Sequence, residues 1–346
     1  SSPASFFMIK GEHVGSEWLT LQLNRYQGLS LLFEVEDCSS WSGKGEQRDN
    51  NLSVLSVDYL KQCKCPKQCT GCNTVSAPRP SVGCIGQRAR GFSMNNNPPS
   101  HIPFMEQLVR ANPRLAIVLH TRRNSVKTVF SATRSGCQGQ SNHAFTSTAS
   151  ATSHARPPNP VLHISPAYML HRTIERVRDQ MTRRLLAASL AKMTVHGRVV
   201  HEVVYERMQS DGVDAEIARL LQALGVPALA SENVTDAYRG GRRLQQIAPM
   251  RTIKTGTEDL RKGLSNFDEV SAHFKEEALR QPSLTCLHEM LVDKQPREIP
   301  FYVCEQIVFD ALTASNGGLD SFFSAHHRSI LSAQRMFSCP GDKAGK

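Results

Sequence analysis

FFMIKGEHVGSEWLTLQLNRYQGLSLLFE, residues 6–34, is the stretch on which the architecture turns. Its apolar start, residues 6–9, has the length and composition of a buried strand. A loop with Gly11 and Gly15 follows, and Trp18, Leu19, Leu21 and Leu23 then form an apolar-periodic segment. Strand, glycine turn and helix are the unit from which α/β sheets are built. Glycines at such a turn let the backbone approach a ligand, and the free N–H groups of the first helical turn attract an anion, so the pattern suggests a phosphate site. No Gly-Lys-Ser/Thr closes the loop, which argues against an ordinary P-loop ATPase or GTPase. On these residues alone a plain βα turn of any α/β protein stays open.

At 346 residues the chain can form one large α/β domain or two smaller ones, and one domain with insertions is the expectation. With 40% hydrophobic and 21% charged residues and no long apolar run, the composition is that of a water-soluble fold. The sequence begins with Ser1 rather than Met, which leaves room for an upstream signal or membrane anchor. Lys and Arg total 41 against 31 Asp and Glu, and the net charge of +10 favours an anionic cofactor or acceptor. Nucleic acid is not the expected partner. The basic residues are dispersed, and the 6% of aromatic residues are not interleaved with them in the way that stacks bases.

Ten cysteines are present, four of them in KQCKCPKQCTGC: Cys63, Cys65, Cys69 and Cys72, flanked by Cys38 and Cys84. A four-cysteine zinc site is one reading, although structural zinc usually joins two separated CxxC pairs. The even count and the glycosylation sequons at Asn51 and Asn233 favour disulfides in an oxidising lumen.

Residues 38–80 lack sustained periodicity and read as irregular, with one helical turn near Asp58. RARGFSMNNN, residues 88–97, reads as a second strand, and residues 105–112 as a short helix closed by Asn-Pro. LAIVLH, residues 115–120, is a continuous apolar run suited to a strand buried on both faces of a parallel sheet. It leads into TRRNSVKTVFSATRS, where Arg122 and Arg123 fall at the strand's carboxyl end and Val126, Val129 and Phe130 repeat at helical spacing. Ligands of open α/β sheets gather at that end, and an Arg there with a hydroxyl further along the helix can grip one phosphate. Two solvated arginines at a helix start are the alternative. Residues 136–160 are low-complexity, and residues 165–193 are strongly helical, with an apolar stripe and many arginines read as a solvated face. VVHEVVY, residues 199–205, reads as a strand, followed by a helix over 213–224 that ends at Gly-Val-Pro. A basic loop, RTIKTGTEDLRKGLSNF, and a helical tail from Pro300 complete the chain.

This order of parts resembles the sulfotransferases, nearest to the nodulation-protein-related and protein-tyrosine sulfotransferase branches. The likeness covers roughly residues 6–34, 88–135 and 162–270, and its most specific parts are RRN…S and YE…LGVP. It implies a three-layer, P-loop-like α/β fold with a central, mainly parallel sheet. One domain would span 1–346, with a Cys-rich insertion at 38–87, a low-complexity insertion at 136–160 and a helical extension at 300–346. The activity implied is transfer of a sulfuryl group from 3′-phosphoadenosine 5′-phosphosulfate (PAPS) to a hydroxyl or amine of a carbohydrate, protein or small-molecule acceptor.

By the same resemblance, the opening loop holds the 5′-phosphosulfate on Lys10, Gly11, His13, Gly15, Ser16 and Glu17. The family's eight-residue spacing selects Arg123 and Ser131 for the 3′-phosphate, and Lys254 and Thr255 of the late loop close over the nucleotide. Glu34 falls on the catalytic glutamate of the tyrosine-sulfating branch, with Glu36 and Asp37 as substitutes if the register slips. Leu31, Leu32 and Phe33 around Glu34 suit a base of raised pKa, while Lys10 and His13 would offset charge on the bridging oxygen. The loop departs from the family's Arg-Ser-Gly-Thr/Ser: His13 is a weaker anion partner than arginine, and Glu17 repels phosphate unless it turns away. The runner-up is therefore a non-catalytic nucleotide- or anionic-glycan-binding protein of the same fold. A kinase-like phosphotransferase lacks both the Walker lysine and an evident magnesium carboxylate. No metal is expected. The Golgi or another secretory lumen is the expected location, with cytoplasm or plastid as alternatives.

Overall fold

The computed structural model describes residues 3–11, 14–24, 29–32, 52–64, 88–95, 101–138, 161–227, 259–293, 299–314 and 337–338. The chain divides into two compact units, residues 1–121 with 182–246 and residues 122–181 with 247–346.

The first unit is built on a five-stranded sheet of order β2-β3-β1-β4-β6: β1 (Ala4–Lys10), β2 (Leu29–Leu32), β3 (Ala89–Asn95), β4 (Ala116–Thr121) and β6 (His201–Val204). All neighbouring pairs are parallel, as expected for the apolar runs FFMI and LAIVLH. Side chains alternate across the sheet. Phe7, Ile9, Phe92, Met94, Ile117 and Leu119 join one core with helix α2 (Ile102–Ala111) and with Ala187 and Leu190 of helix α4 (Pro166–Lys192). Phe6, Met8, Val118 and Val203 join another with helix α1 (Ser16–Leu23), helix α5 (Tyr205–Ser210) and helix α6 (Val213–Ala223). The result is helix, sheet, helix: the α/β fold with a central parallel sheet that the sequence predicts.

Two local corrections follow. Residues 52–64 lie inside the stretch read as an irregular insertion; the one helical turn expected near Asp58 is present as a π-helical turn at Val54–Tyr59, and it places Leu55 and Tyr59 in the first core, which the reading did not foresee. Tyr59 donates to the Gly91 carbonyl at 2.8 Å, and its hydroxyl lies 3.0 Å from the Ser30 hydroxyl, while the Arg90 guanidinium stacks 4.5 Å over its ring. Long-range polar contacts of this kind leave no local periodicity. Strand β6 is also shorter than read, because helix α5 begins at Tyr205.

Gly91 gives room to a neighbour. A Cβ there would fall 2.4 Å from the ring of Phe6, its register partner on β1. Gly91→Ala is expected to destabilise the protein by about 1–3 kcal/mol through overpacking, as the shift in urea midpoint would show.

The second unit is mostly helical: helix α3 (Ser125–Gln138), the first half of α4, helix α7 (Leu260–Gly263), helix α8 (Phe267–Arg280), helix α9 (Thr285–Val292) and helix α10 (Ile299–Thr313). Strands β5 (His163–Ile164) and β7 (Phe337–Ser338) pair antiparallel. Val126, Phe130, Met169, Ile174, Val270, Phe274, Leu287 and Val308 form its core. The stretch read as low-complexity from 136 begins as helix, since α3 runs to Gln138. A disulfide joins Cys286 of α9 to Cys304 of α10, and Cys63 and Cys137 are also disulfide-bonded. Cys63 is thereby removed from a four-cysteine zinc set.

Candidate functional site

The order β2-β3-β1-β4-β6 contains one point where the direction of connection reverses. From β1 the chain moves toward the β2 edge, and from β4 toward the β6 edge. The carboxyl ends of β1 and β4 therefore flank the point where the order reverses, the usual ligand crevice of open α/β sheets. Lys10 ends β1, and its register partner on β4 is His120. Phe6, Met8 and Val118 set the alternation, so Lys10 and His120 both fall on the α1 side of the sheet.

Both are buried: Lys10 is 0% and His120 1% exposed. Neither ring nitrogen of His120 has a hydrogen-bond partner of good geometry among the described residues. Burial first, and the positive charge of Lys10 second, push its pKa down to about 3; Glu216 and the Val14 backbone oppose this only in part. His120 is thus a neutral imidazole buried beside Lys10 at the end of the sheet.

The loop above this pair folds back through two glycines. Gly15 has φ +78°, the left-handed conformation that glycine adopts without a Cβ penalty, and caps α1 with no side-chain hydrogen bond. A Cβ at Gly15 would also lie 2.7 Å from the ring of Tyr205, so this glycine brings the opening loop against the VVYERM segment. At Gly11 a Cβ would lie 2.4 Å from Nη1 of Arg183, so a guanidinium from α4 fills the space over that glycine. Arg183 is 5% exposed.

An ion cluster centred on a buried carboxylate lies beside β6. The Glu216 carboxylate of α6 lies 3.1 Å from His201 Nε2 and accepts from Arg207 at 2.9 Å and Arg219 at 2.9 Å. Burial alone would raise its pKa, but the bonds from His201 and Arg207 prevail and hold it down at about 2.

In the second unit, Arg122 and Arg123 are buried rather than solvated. Asn124 caps α3, its Oδ1 accepting the Lys127 N–H at 2.9 Å. Arg123 donates to Glu305 of α10 at 3.5 Å; Ser125 donates to the same carboxylate at 3.5 Å, and Gln180 Nε2 also donates to it. Tyr302 stacks on the Arg123 guanidinium, 4.8 Å from ring centroid to Cζ. Guanidinium, hydroxyl and amide converge on one oxyanion, and that oxyanion is the protein's own Glu305. Ser131 lies further along α3 and is partly exposed. A small cleft of about 190 Å³ lined by Val129, Thr133, Tyr168 and Arg176 contains none of the residues predicted from sequence.

The structure therefore gathers Lys10, Gly11, Gly15 and Ser16 at the end of β1, with Glu17 the second residue of α1. Arg123 and Ser131 share the segment that leaves β4. His13, Glu34, Lys254 and Thr255 lie outside the described residues. Sequence reasoning passed over His120, Arg183 and Glu305. For Arg183 a signal existed: Gln180, Arg183 and Ala187 continue the buried stripe of α4 at helical spacing, so that arginine never belonged to the solvated face.

No family profile and no curated protein matches the chain. Among solved structures it is similar to the sulfotransferase domain of the olefin synthase of Synechococcus PCC 7002, with 13% identity and a TM-score of 0.35, over 88% of this chain and 94% of that one. A likeness this distant decides nothing about chemistry.

Proposed function

We propose that the protein is a sulfotransferase that takes a sulfuryl group from PAPS and passes it to a hydroxyl or amine of a carbohydrate, protein or small molecule. The observation that carries this reading is topological. The two segments that resemble the family's nucleotide motifs leave the carboxyl ends of β1 and β4, adjacent strands at the switch point of a parallel sheet. The residues at the ends of β1 and β4 suit an anion: a buried lysine, a buried imidazole, and a helix N-terminus without a side-chain cap.

In the reaction the acceptor oxygen or nitrogen forms a bond to sulfur as the bond from sulfur to the phosphate oxygen breaks, and adenosine 3′,5′-bisphosphate leaves. Glu34 is assigned the acceptor's proton. Lys10 and His13 hold the negative charge that grows on the leaving oxygen, with backbone N–H groups from Gly15 onward. Arg123 and Ser131 are assigned the 3′-phosphate, which then competes with Glu305 for the same guanidinium. Lys254 and Thr255 cover the nucleotide. The disulfides at Cys286–Cys304, Cys63 and Cys137 support an oxidising lumen as the place of action.

Transfer of labelled sulfate from PAPS to a panel of glycan, peptide and phenol acceptors tests the activity. Glu34→Gln is expected to lower turnover by 10²-fold or more, within the usual range for loss of a general base. Full turnover in that variant assigns the base elsewhere. Arg123→Lys keeps a charge opposite Glu305 but loses the fork, and is expected to weaken binding of the bisphosphate product about tenfold. One observation favours a second reading, a non-catalytic binder: Glu305 already occupies Arg123. Product binding without transfer to any acceptor would support it.

A further inference from the structure

We propose that the Cys286–Cys304 disulfide is a redox latch that holds helix α10 over Arg123, so that reduction by a dithiol opens this arginine to an outside oxyanion and reoxidation closes it. The proposal rests on the sulfotransferase reading only for the identity of that oxyanion. Two consecutive residues of α10 carry the device: Cys304 is bonded to Cys286 of α9, and Glu305 accepts from Arg123. Helix α9 is itself fixed at the same junction, where it packs on α3 and its Met290 carbonyl accepts from Asn124 Nδ2 at 2.9 Å. The disulfide thus closes a ring that runs from Asn124 through α9 to α10 and back to Arg123, all within the second unit. Tyr302, also on α10, stacks on the same guanidinium. Arg123 is 4% exposed while Tyr302 is 44% exposed, so this cover is one side chain thick.

Apart from the disulfide, α10 is weakly attached. Tyr302, Val303 and Ile307 are exposed, and the side chains it buries among the described residues are Cys304, Glu305, Val308 and Leu312, only two of them aliphatic. The ion pair is a poor fastener, because desolvation of both charges offsets most of their attraction. Lifting α10 as a whole hydrates both charges and strands neither. Cutting the covalent link returns to α10 the freedom that loop closure removed. The two sulfurs are unequally placed, with Cys286 partly buried and Cys304 fully buried. A thiolate of the dithiol attacks the Cys286 sulfur to form a mixed disulfide, and Cys304 leaves as a thiolate and takes a proton. The second thiol of the reductant then displaces Cys286. Two electrons and two protons pass to the protein, which gains two thiols, and the dithiol becomes a disulfide. The latch is shut by default where disulfides form and opens where a dithiol is supplied.

Phenylglyoxal, a reagent for accessible arginines, tests the latch without a nucleotide. Peptide mass analysis follows labelling of Arg123, and Arg90, buried on β3, reports global unfolding. The full chain carrying Cys286→Ser and Cys304→Ser is expected to label Arg123 about tenfold or more faster than the oxidised wild type, with Arg90 unchanged. It is also expected to bind adenosine 3′,5′-bisphosphate about tenfold or more tightly, since the open state is no longer the minor one. Wild-type protection of Arg123 in that variant overturns the proposal. If the variant does not fold and Arg90 labels as well, wild type titrated with dithiothreitol decides. Arg123 labelling that rises in step with alkylation of Cys286 supports the latch, and protection of Arg123 in molecules alkylated at Cys286 overturns it. Faster labelling of Arg123 with no gain in bisphosphate binding leaves the latch standing and removes Arg123 from the nucleotide site.

Discussion

Replacing Glu305 with alanine is expected to cost about 3–5 kcal/mol of stability, the range found when one partner of a buried ion pair is removed. The carboxylate is fully buried, and Arg123 opposite it is nearly so, with side-chain exposures of 0% and 5%. Arg123, Ser125 and Gln180 all direct donors at it. Truncation leaves these donors without the acceptor that now holds them, and leaves the Arg123 charge in a medium that solvates it poorly. Urea unfolding of the variant measures the loss. The paired replacement Arg123→Met with Glu305→Leu is expected to recover most of it, because apolar groups of similar volume remove the charge instead of stranding it. A Glu305→Ala variant within 1 kcal/mol of wild type would mean that water reaches Arg123 and that the pair is not structural. If the 3′-phosphate also uses Arg123, Glu305→Gln should tighten binding of the bisphosphate product by removing its competitor.

Acid is expected to act on the first unit in two stages. His120 binds a proton near its ordinary value of 6.5 in the unfolded chain but only at about 3 in the folded one. The unfolded state therefore takes up protons first, and stability falls as the pH drops from 6.5 toward 3. The full effect is on the order of 5 kcal/mol. Glu216 acts lower. Its folded value of about 2 lies below the ordinary value of 4.5, so its contribution is present above 4.5 and is lost as the pH falls through about 2. Unfolding free energies measured from pH 7 to pH 3 should show the first stage, and His120→Gln should flatten it while leaving the Glu216 stage intact. A variant curve parallel to wild type between 6.5 and 4 would mean that His120 is not held neutral.

Several features of this chain could be read in one dimension because they depend on local pattern. The runs FFMI and LAIVLH are apolar without alternation, which marks strands covered on both faces, and they became β1 and β4, side by side. Gly15 was legible as a turn glycine, and it has the positive φ that such a turn requires. The RRN…S segment was correctly placed at a strand-to-helix junction. Its arginines were open to two readings, and burial excludes the solvated one without making them free: Arg123 is held by Glu305, 182 positions later in the chain.

What the sequence by itself determined is the class of fold and which segments leave the carboxyl ends of β1 and β4, because hydrophobic periodicity and glycine placement act within a few residues. What only the tertiary structure decided is which charges stand there. Arg183 reaches Gly11 across 172 positions, and His120 becomes a neutral imidazole because the fold buries it and places Lys10, its register partner on another strand, beside it. Burial and electrostatics act through space at distances of a few ångströms, and those distances exist only after the chain has closed on itself.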